Sequence, residues 1–300
     1  MVNKKSLEEI YQHFYSTNTE LQDFWEVDFL GVNFSVDDFV FKIYFTTEVS
    51  QEQGYEYFSP LYDRKMIGAL NKVKDTVNFG KIRFEAGLIN RTNENMNFLY
   101  KWLSKIYPCL KSCSHQINEF NRLKCSTDID YQLASMYFLG LIADKNVTHE
   151  VEAVKLHYIL RMCLDTNHIG RNCHTDNDSV LSVIKTMDIP IMQRLGNFAE
   201  RCLNDADAEM WIAAVDFYEH KPDKYKLYFK SVGKNIYSSL YRQLIHEGQE
   251  KLAVKVTEFQ QWINIHTELK VYGLAVCCSE NGLWSLNFYL DKNKEENNDV

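Results

Sequence analysis

From Lys224 to Lys230 the chain reads Lys-Tyr-Lys-Leu-Tyr-Phe-Lys. In an extended strand successive side chains point to opposite faces. Lys224, Lys226, Tyr228 and Lys230 therefore share one face, and Tyr225, Leu227 and Phe229 the other. Such a strand needs an apolar layer against one side and a polar account of the other.

The same two-faced pattern recurs. Phe39, Phe41, Ile43 and Phe45 oppose Lys42, Tyr44 and Thr46; Ile82, Phe84, Ala86 and Leu88 oppose Lys81, Arg83 and Glu85. Val154, Leu156, Tyr158 and Leu160 oppose Lys155 and His157, and Trp211, Ala213, Val215 and Phe217 oppose Ile212, Ala214 and Asp216. Near the end, Leu269 and Val271 oppose Lys270 and Tyr272, and Trp284, Leu286, Phe288 and Leu290 oppose Ser285, Asn287 and Tyr289. These runs predict hairpins over 25–47, 133–161, 209–230 and 267–291, and a strand over 80–89. Helical spacing predicts helices over 6–24, 61–74, 95–107, 179–204 and 234–261. The first opens on a Ser6/Glu9 capping box, and Pro190 breaks the fourth. The stretch 95–130, through Cys109, Cys113 and Cys125, shows no hairpin and reads as an irregular repeat.

Helices alternating with hairpins give an α+β fold with antiparallel strands, whose helices cover the apolar face. Residues 1–291 read as a single domain and 292–300 as a disordered polar tail. The net charge of −8 excludes a broad nucleic-acid footprint, yet leaves room for a local cationic site. Eight scattered cysteines without a CxxC pair suit a reduced, cytoplasmic protein. No leader is read at the start, and no apolar run approaches the ~18 residues that cross a bilayer. Neither Cys109, Cys113 and His115 nor His168, Cys173 and His174 has metal-ligand spacing, so no metal site is assigned.

Lys42, Lys155, Lys226 and Lys270 each have an aromatic or imidazole two residues on, at Tyr44, His157, Tyr228 and Tyr272. Period two sets each pair on one face, about 7 Å apart. Nine or ten strands exceed what a twisted open sheet carries before it curls. Closure into a barrel puts the helices outside and the lysines and tyrosines around a lumen. Cations crowded there call for a polyanion such as a diphosphate. The alternative is an open sheet whose cationic face meets solvent or a partner.

These Lys-x-aromatic strands, with the Val215-Asp216, Lys221-Pro222 and Lys224-x-Lys226-x-Tyr228 run, resemble the ABBA-type aromatic prenyltransferases. That family comprises phenol, indole and cyanobactin peptide prenyltransferases. The resemblance implies a closed antiparallel barrel of about ten strands built from αββα units, with its active site in the lumen. It implies transfer of an allylic isoprenoid (dimethylallyl or geranyl) from its diphosphate to an aromatic small molecule or peptide. By position, Lys42, Lys155, Lys224, Lys226 and Lys270, with Arg83 and His157, would hold the diphosphate. Tyr44, Tyr228, Tyr272 and Tyr289 would shield the allylic cation. The base would be Glu26, Asp28 or Glu85; an early barrel strand favours Glu26 or Asp28. Without a DDxxD run no cofactor is required, although some phenol-acting relatives use magnesium. The expected enzyme is a monomer that binds neither nucleic acid nor membrane. The competing reading keeps the barrel as a non-catalytic binder of an anionic or aromatic ligand.

Overall fold

A computed structural model describes residues 6–17, 29–47, 53–75, 81–90, 92–125, 138–144, 151–160, 177–203, 208–218, 221–230 and 232–292. Glu26 and Asp28 lie outside them, as does the expected tail from 293 on. The elements run α1 (Leu7–Thr17), β1 (Phe29–Phe34), β2 (Phe39–Thr47), α2 (Gln53–Tyr62), β3 (Ile67–Asp75), β4 (Lys81–Leu88) and α3 (Asn93–Ile106). After a 3-10 turn at Pro108–Lys111 come α4 (Ser114–Cys125), β5 (Phe138–Asp144), β6 (Val151–Ile159), α5 (Asn177–Lys185) and α6 (Pro190–Leu203). The chain continues with β7 (Glu209–Tyr218), β8 (Lys221–Lys230), α7 (Ile236–His246), α8 (Glu250–Ile265), β9 (Leu269–Ser279) and β10 (Trp284–Lys292).

Each strand pairs antiparallel with its neighbours in sequence, and β1 pairs with β10 to close a ten-stranded barrel. Closure removes the open-sheet alternative. The apolar faces turn outward and the helices cover them. Tyr11 and Phe14 of α1 sit on Phe41 of β2, with ring centroids 5.2 and 5.6 Å apart. Phe120 of α4 meets Tyr158 at 5.1 Å, Phe198 of α6 meets Trp284 at 4.8 Å, and Phe259 of α8 meets Phe288 at 4.5 Å. Each such pair adds about 0.5–1.5 kcal/mol beyond the area it buries. The core is thus a shell between sheet and helices, and the lumen is left for other residues.

Local chemistry sets the helix ends. Ser6 and Glu9 form the expected capping box, with Glu9 N donating to Ser6 Oγ (3.2 Å) and Ser6 N to Glu9 Oε2 (2.7 Å). Pro190 is the first residue of α6, where its missing N–H costs nothing. The single helix expected over 234–261 is two. Gly248, with φ of 70°, ends α7, and Gln249 N donates back to Leu244 O at 2.7 Å.

The helix expected over 61–74 is also corrected. α2 ends at Tyr62, Lys65 turns the chain with φ of 52°, and β3 follows. A bulge between Ile67 and Ala69 leaves Ile67 and Leu70, three apart, both in the outer core. Spacing of three is what a helix shows, so the bulge gave a strand a helical signature. Val73 instead pairs with Tyr44 and Arg83 on the inner face. With β3 in place the hairpin missing from 95–130 is found earlier, and the repeat is regular. A second bulge, between Met210 and Ile212, turns Trp211 from its expected outward position to pack on the lumen cluster of Ile212, Ala214 and Tyr228.

Candidate active site

Inside the barrel, large and small residues alternate from strand to strand. Gly31 lies between Lys42 and Tyr289, Gly140 between Glu85 and Lys155, Ala214 between His157 and Lys226, and Ala275 between Tyr228 and Asn287. At these positions the even strands carry the long side chains and the odd strands make room for them, as side chains of alternating size do in filling a small barrel. A Cβ on Gly140 would stand 3.1 Å from both Cβ and Cδ of Lys155, and one on Gly31 would stand 2.9 Å from Cε2 of Tyr44. The bare glycines are what allow Lys155 to reach Glu85 and the Tyr44 ring to lie flat on the wall.

The resulting chamber holds about 330 Å3. All even strands enter from the hairpin-turn end, so their inner residues descend in step. Lys42, Arg83, Lys155, Lys224 and Lys226 line its upper part. Tyr44 and Tyr228 lie two residues deeper than Lys42 and Lys226, and Tyr289 lies across Gly31 from Lys42. Tyr44 and Tyr289 are 5.9 Å apart, Tyr228 stacks on Tyr289 at 6.0 Å, and Phe29 stacks on Tyr44 at 4.3 Å. A cation layer thus stands on an aromatic floor.

Carboxylates are interleaved with the cations. Lys226 is ion-paired with Asp216, which is flanked in register by Lys155 and Lys224. Lys155 Nζ is 3.8 Å from Glu85 Oε1. Burial works to raise both carboxyl pKa values, but the surrounding ammonium groups outweigh it: Lys226 and Lys155 hold Asp216 well below the usual range, and Lys155 leads in holding Glu85 down. Both are ionised at neutral pH. Burial, with the Lys226 charge beside it, lowers Lys155 to about 8. Burial lowers His157 to about 4, so its imidazole is neutral, and it hydrogen-bonds the Tyr228 hydroxyl at 3.2 Å. The Tyr44, Tyr228 and Tyr289 hydroxyls are pushed up by burial and stay protonated.

Of the residues singled out in the sequence, Lys42, Arg83, Lys155, Lys224, Lys226, Glu85, Tyr44, Tyr228 and Tyr289 converge on the chamber. His157 stands behind Tyr228, below the cations. Tyr272 meets Phe29 and Tyr289 (5.6 and 6.0 Å) outside the chamber lining. Lys270 is exposed, paired in register with Asp291 and seven residues, about 23 Å of strand, from the lumen-facing Cys277. It does not join the other cations, because β9 carries it past the opposite end of the barrel. Asn33, Cys277 and Asn287 also line the chamber and were not singled out. The alternation had marked Asn287 as polar-faced, and nothing in its local sequence marked it further.

No family model matches the chain, and no curated protein matches it in sequence. Solved structures match it in fold. AnaPT from Neosartorya fischeri is 12% identical with a TM-score of 0.55, over 88% of this chain and 78% of that one. The 5-dimethylallyltryptophan synthase from Streptomyces coelicolor, in complex with DMASPP and Trp, is 9% identical with a TM-score of 0.54, over 88% and 78%. NotF in complex with brevianamide F and DMSPP is 10% identical with a TM-score of 0.56, over 88% and 79%. At these identities the likeness is one of fold: this chain shares the αββα barrel of the aromatic prenyltransferases.

Proposed function

We propose that the protein is an aromatic prenyltransferase, ionising an allylic diphosphate in the chamber and delivering the allyl cation to an aromatic acceptor. The layering of cations over tyrosines carries this reading. The charge of the departing diphosphate grows as the C–O bond breaks, and Lys42, Arg83, Lys155, Lys224 and Lys226 stabilise it most when it is fully formed. Beneath it, the ring faces of Tyr44, Tyr228 and Tyr289 hold the allyl cation, each contributing about 0.5–2 kcal/mol, and keep water away. Neutral His157 fixes Tyr228 without adding a competing charge. The acceptor ring or heteroatom attacks the cation, and Glu85, ionised and at the level of the floor, takes the displaced proton. Products are the prenylated acceptor and diphosphate. Ligands named for the S. coelicolor enzyme and for NotF support a DMASPP-like donor and an aromatic acceptor. We take the ionisation to need no metal, and the same titration tests this.

Thermal-shift titration with dimethylallyl and geranyl thiolodiphosphates, with and without magnesium, is the test. The reading requires a rise in melting temperature that is lost when Lys226 is replaced, followed by product with an aromatic acceptor. Glu85→Gln should retain donor binding and lose about 10²–10⁴ in turnover, measured by mass spectrometry of product. Pairing of two lysines with Glu85 and Asp216 also suits a barrel that binds a diphosphate and stops there. Stoichiometric binding with no product from phenol, indole or tyrosyl-peptide acceptors would select that second reading.

A further inference from the structure

The inner face of β10 differs from the cationic strands: it presents Ser285, Asn287 and Tyr289 in succession. Asn287 is 5% exposed and lines the chamber, yet its side-chain carbonyl accepts no hydrogen bond from any described group. Its side chain also interacts with the Tyr44 hydroxyl, helping to offset the effect of burial there. Oδ1 stands above the notch left by Gly31, where a Cβ would lie 3.6 Å from it. The neighbouring Asn33 turns its amide to Leu286 O at 3.2 Å and makes no bond to Oδ1. Across β9 the register partner is Ala275, which has no donor.

A carbonyl oxygen only accepts hydrogen bonds. Ionised diphosphate oxygens are acceptors too, so the donor's head group cannot satisfy Oδ1 and is repelled by it. Whatever meets Oδ1 must bring an N–H or O–H, and must reach it beside the allyl cation that the tyrosine floor holds.

We propose that Asn287 selects and orients the acceptor, its Oδ1 accepting a hydrogen bond from the ring N–H or phenolic O–H of a neutral aromatic. This rests on reading the chamber as a prenyl-transfer site and adds the residue that discriminates among its aromatic acceptors. Aromatics without a ring-borne donor, or with a carboxylate at that edge, are rejected because they leave the buried carbonyl unmet or oppose it with like charge. Asn287 thereby sets which edge of the ring faces the cation.

The test is direct binding to the full chain, by calorimetry, of two matched pairs: indole with 1-methylindole, and 2-naphthol with 2-methoxynaphthalene. Each is titrated with and without dimethylallyl thiolodiphosphate. The donor-bearing member of each pair should bind at least ~10-fold tighter to the unaltered protein. Asn287→Leu and Asn287→Ala, checked for native melting, should narrow that ratio to within ~2-fold, since neither keeps the acceptor. Asn287→Asp, which keeps an acceptor oxygen, should retain the preference. An unchanged ratio in the Leu and Ala variants, or no preference or no binding in the unaltered protein, overturns the proposal. Failure of the thiolodiphosphate to bind, with the indole preference intact, would instead sink the prenyl-transfer reading.

Discussion

Lys155 and Lys226 are each only 7% exposed, and a buried charge is tolerable only when paired. Lys226→Ala would leave Asp216 without its ion-pair partner, between Lys155 and Lys224 in the lumen. It should cost about 3–5 kcal/mol in urea unfolding, whereas the double change Lys226→Met with Asp216→Asn should recover most of that loss. Neither protein should bind thiolodiphosphate, which separates the role of the cation from stability. The pKa of Lys155, about 8 against an ordinary 10.5, predicts a pH profile. Donor binding needs the charged form, so the donor Kd should rise above pH 8, approaching ~10-fold per unit. Stability moves the other way. Between pH 8 and 10.5 the unfolded chain holds the proton that folded Lys155 has lost, so this residue's contribution to stability increases with pH. Opposite slopes in donor affinity and urea midpoint over that window check both signs; parallel slopes would contradict the assignment.

At the scale of elements, alternation between even and odd strands makes the chamber. Gly140→Val would push the Lys155 stem off the wall, because the Cβ would meet it at 3.1 Å, and so part Lys155 from Glu85. Donor affinity should fall with only modest loss of melting temperature. Gly248→Ala is the matched control. Gly248 has φ of 70° with nothing within 4 Å of an added Cβ, so the change costs roughly 1–2 kcal/mol of backbone strain and leaves donor affinity unaltered. Strand faces were legible from period two alone. Lys42 and Tyr44, Lys155, and Lys226 and Tyr228 are on the inner side as that period implies. Bulges were not legible, since an inserted residue shifts the phase without any local marker. That is why β3 read as a helix and Trp211 was set on the outer face.

Across the molecule, closure brings the first helix against the last. Glu8 of α1 accepts from Trp262 Nε1 at 2.8 Å and bonds the His266 ring at 3.0 Å, and Glu268 holds the other ring nitrogen at 2.8 Å. Burial opposes charge on His266, but hydrogen bonds to the two carboxylates prevail and raise its pKa. A raised histidine contributes stability that is fully present below its unfolded pKa and is lost as pH rises through the folded one. Amides of α1 should therefore exchange faster at pH 8 than at pH 6 after correction for intrinsic rates, and Glu8→Gln should flatten the difference. An equal ratio in both proteins would show that this cluster does not hold α1.

The sequence by itself determined that the strands are two-faced, that there are too many for an open sheet, and that cations and aromatics share one side. These follow from a period of two, which neighbours in the chain define. Tertiary structure decided which of those residues meet. It brought Glu85 to Lys155 across Gly140, set Asp216 between lysines, and left Lys270 at the far end of β9. Those outcomes depend on register and on bulges, which are settled by pairing between strands distant in sequence, and no single strand carries that information.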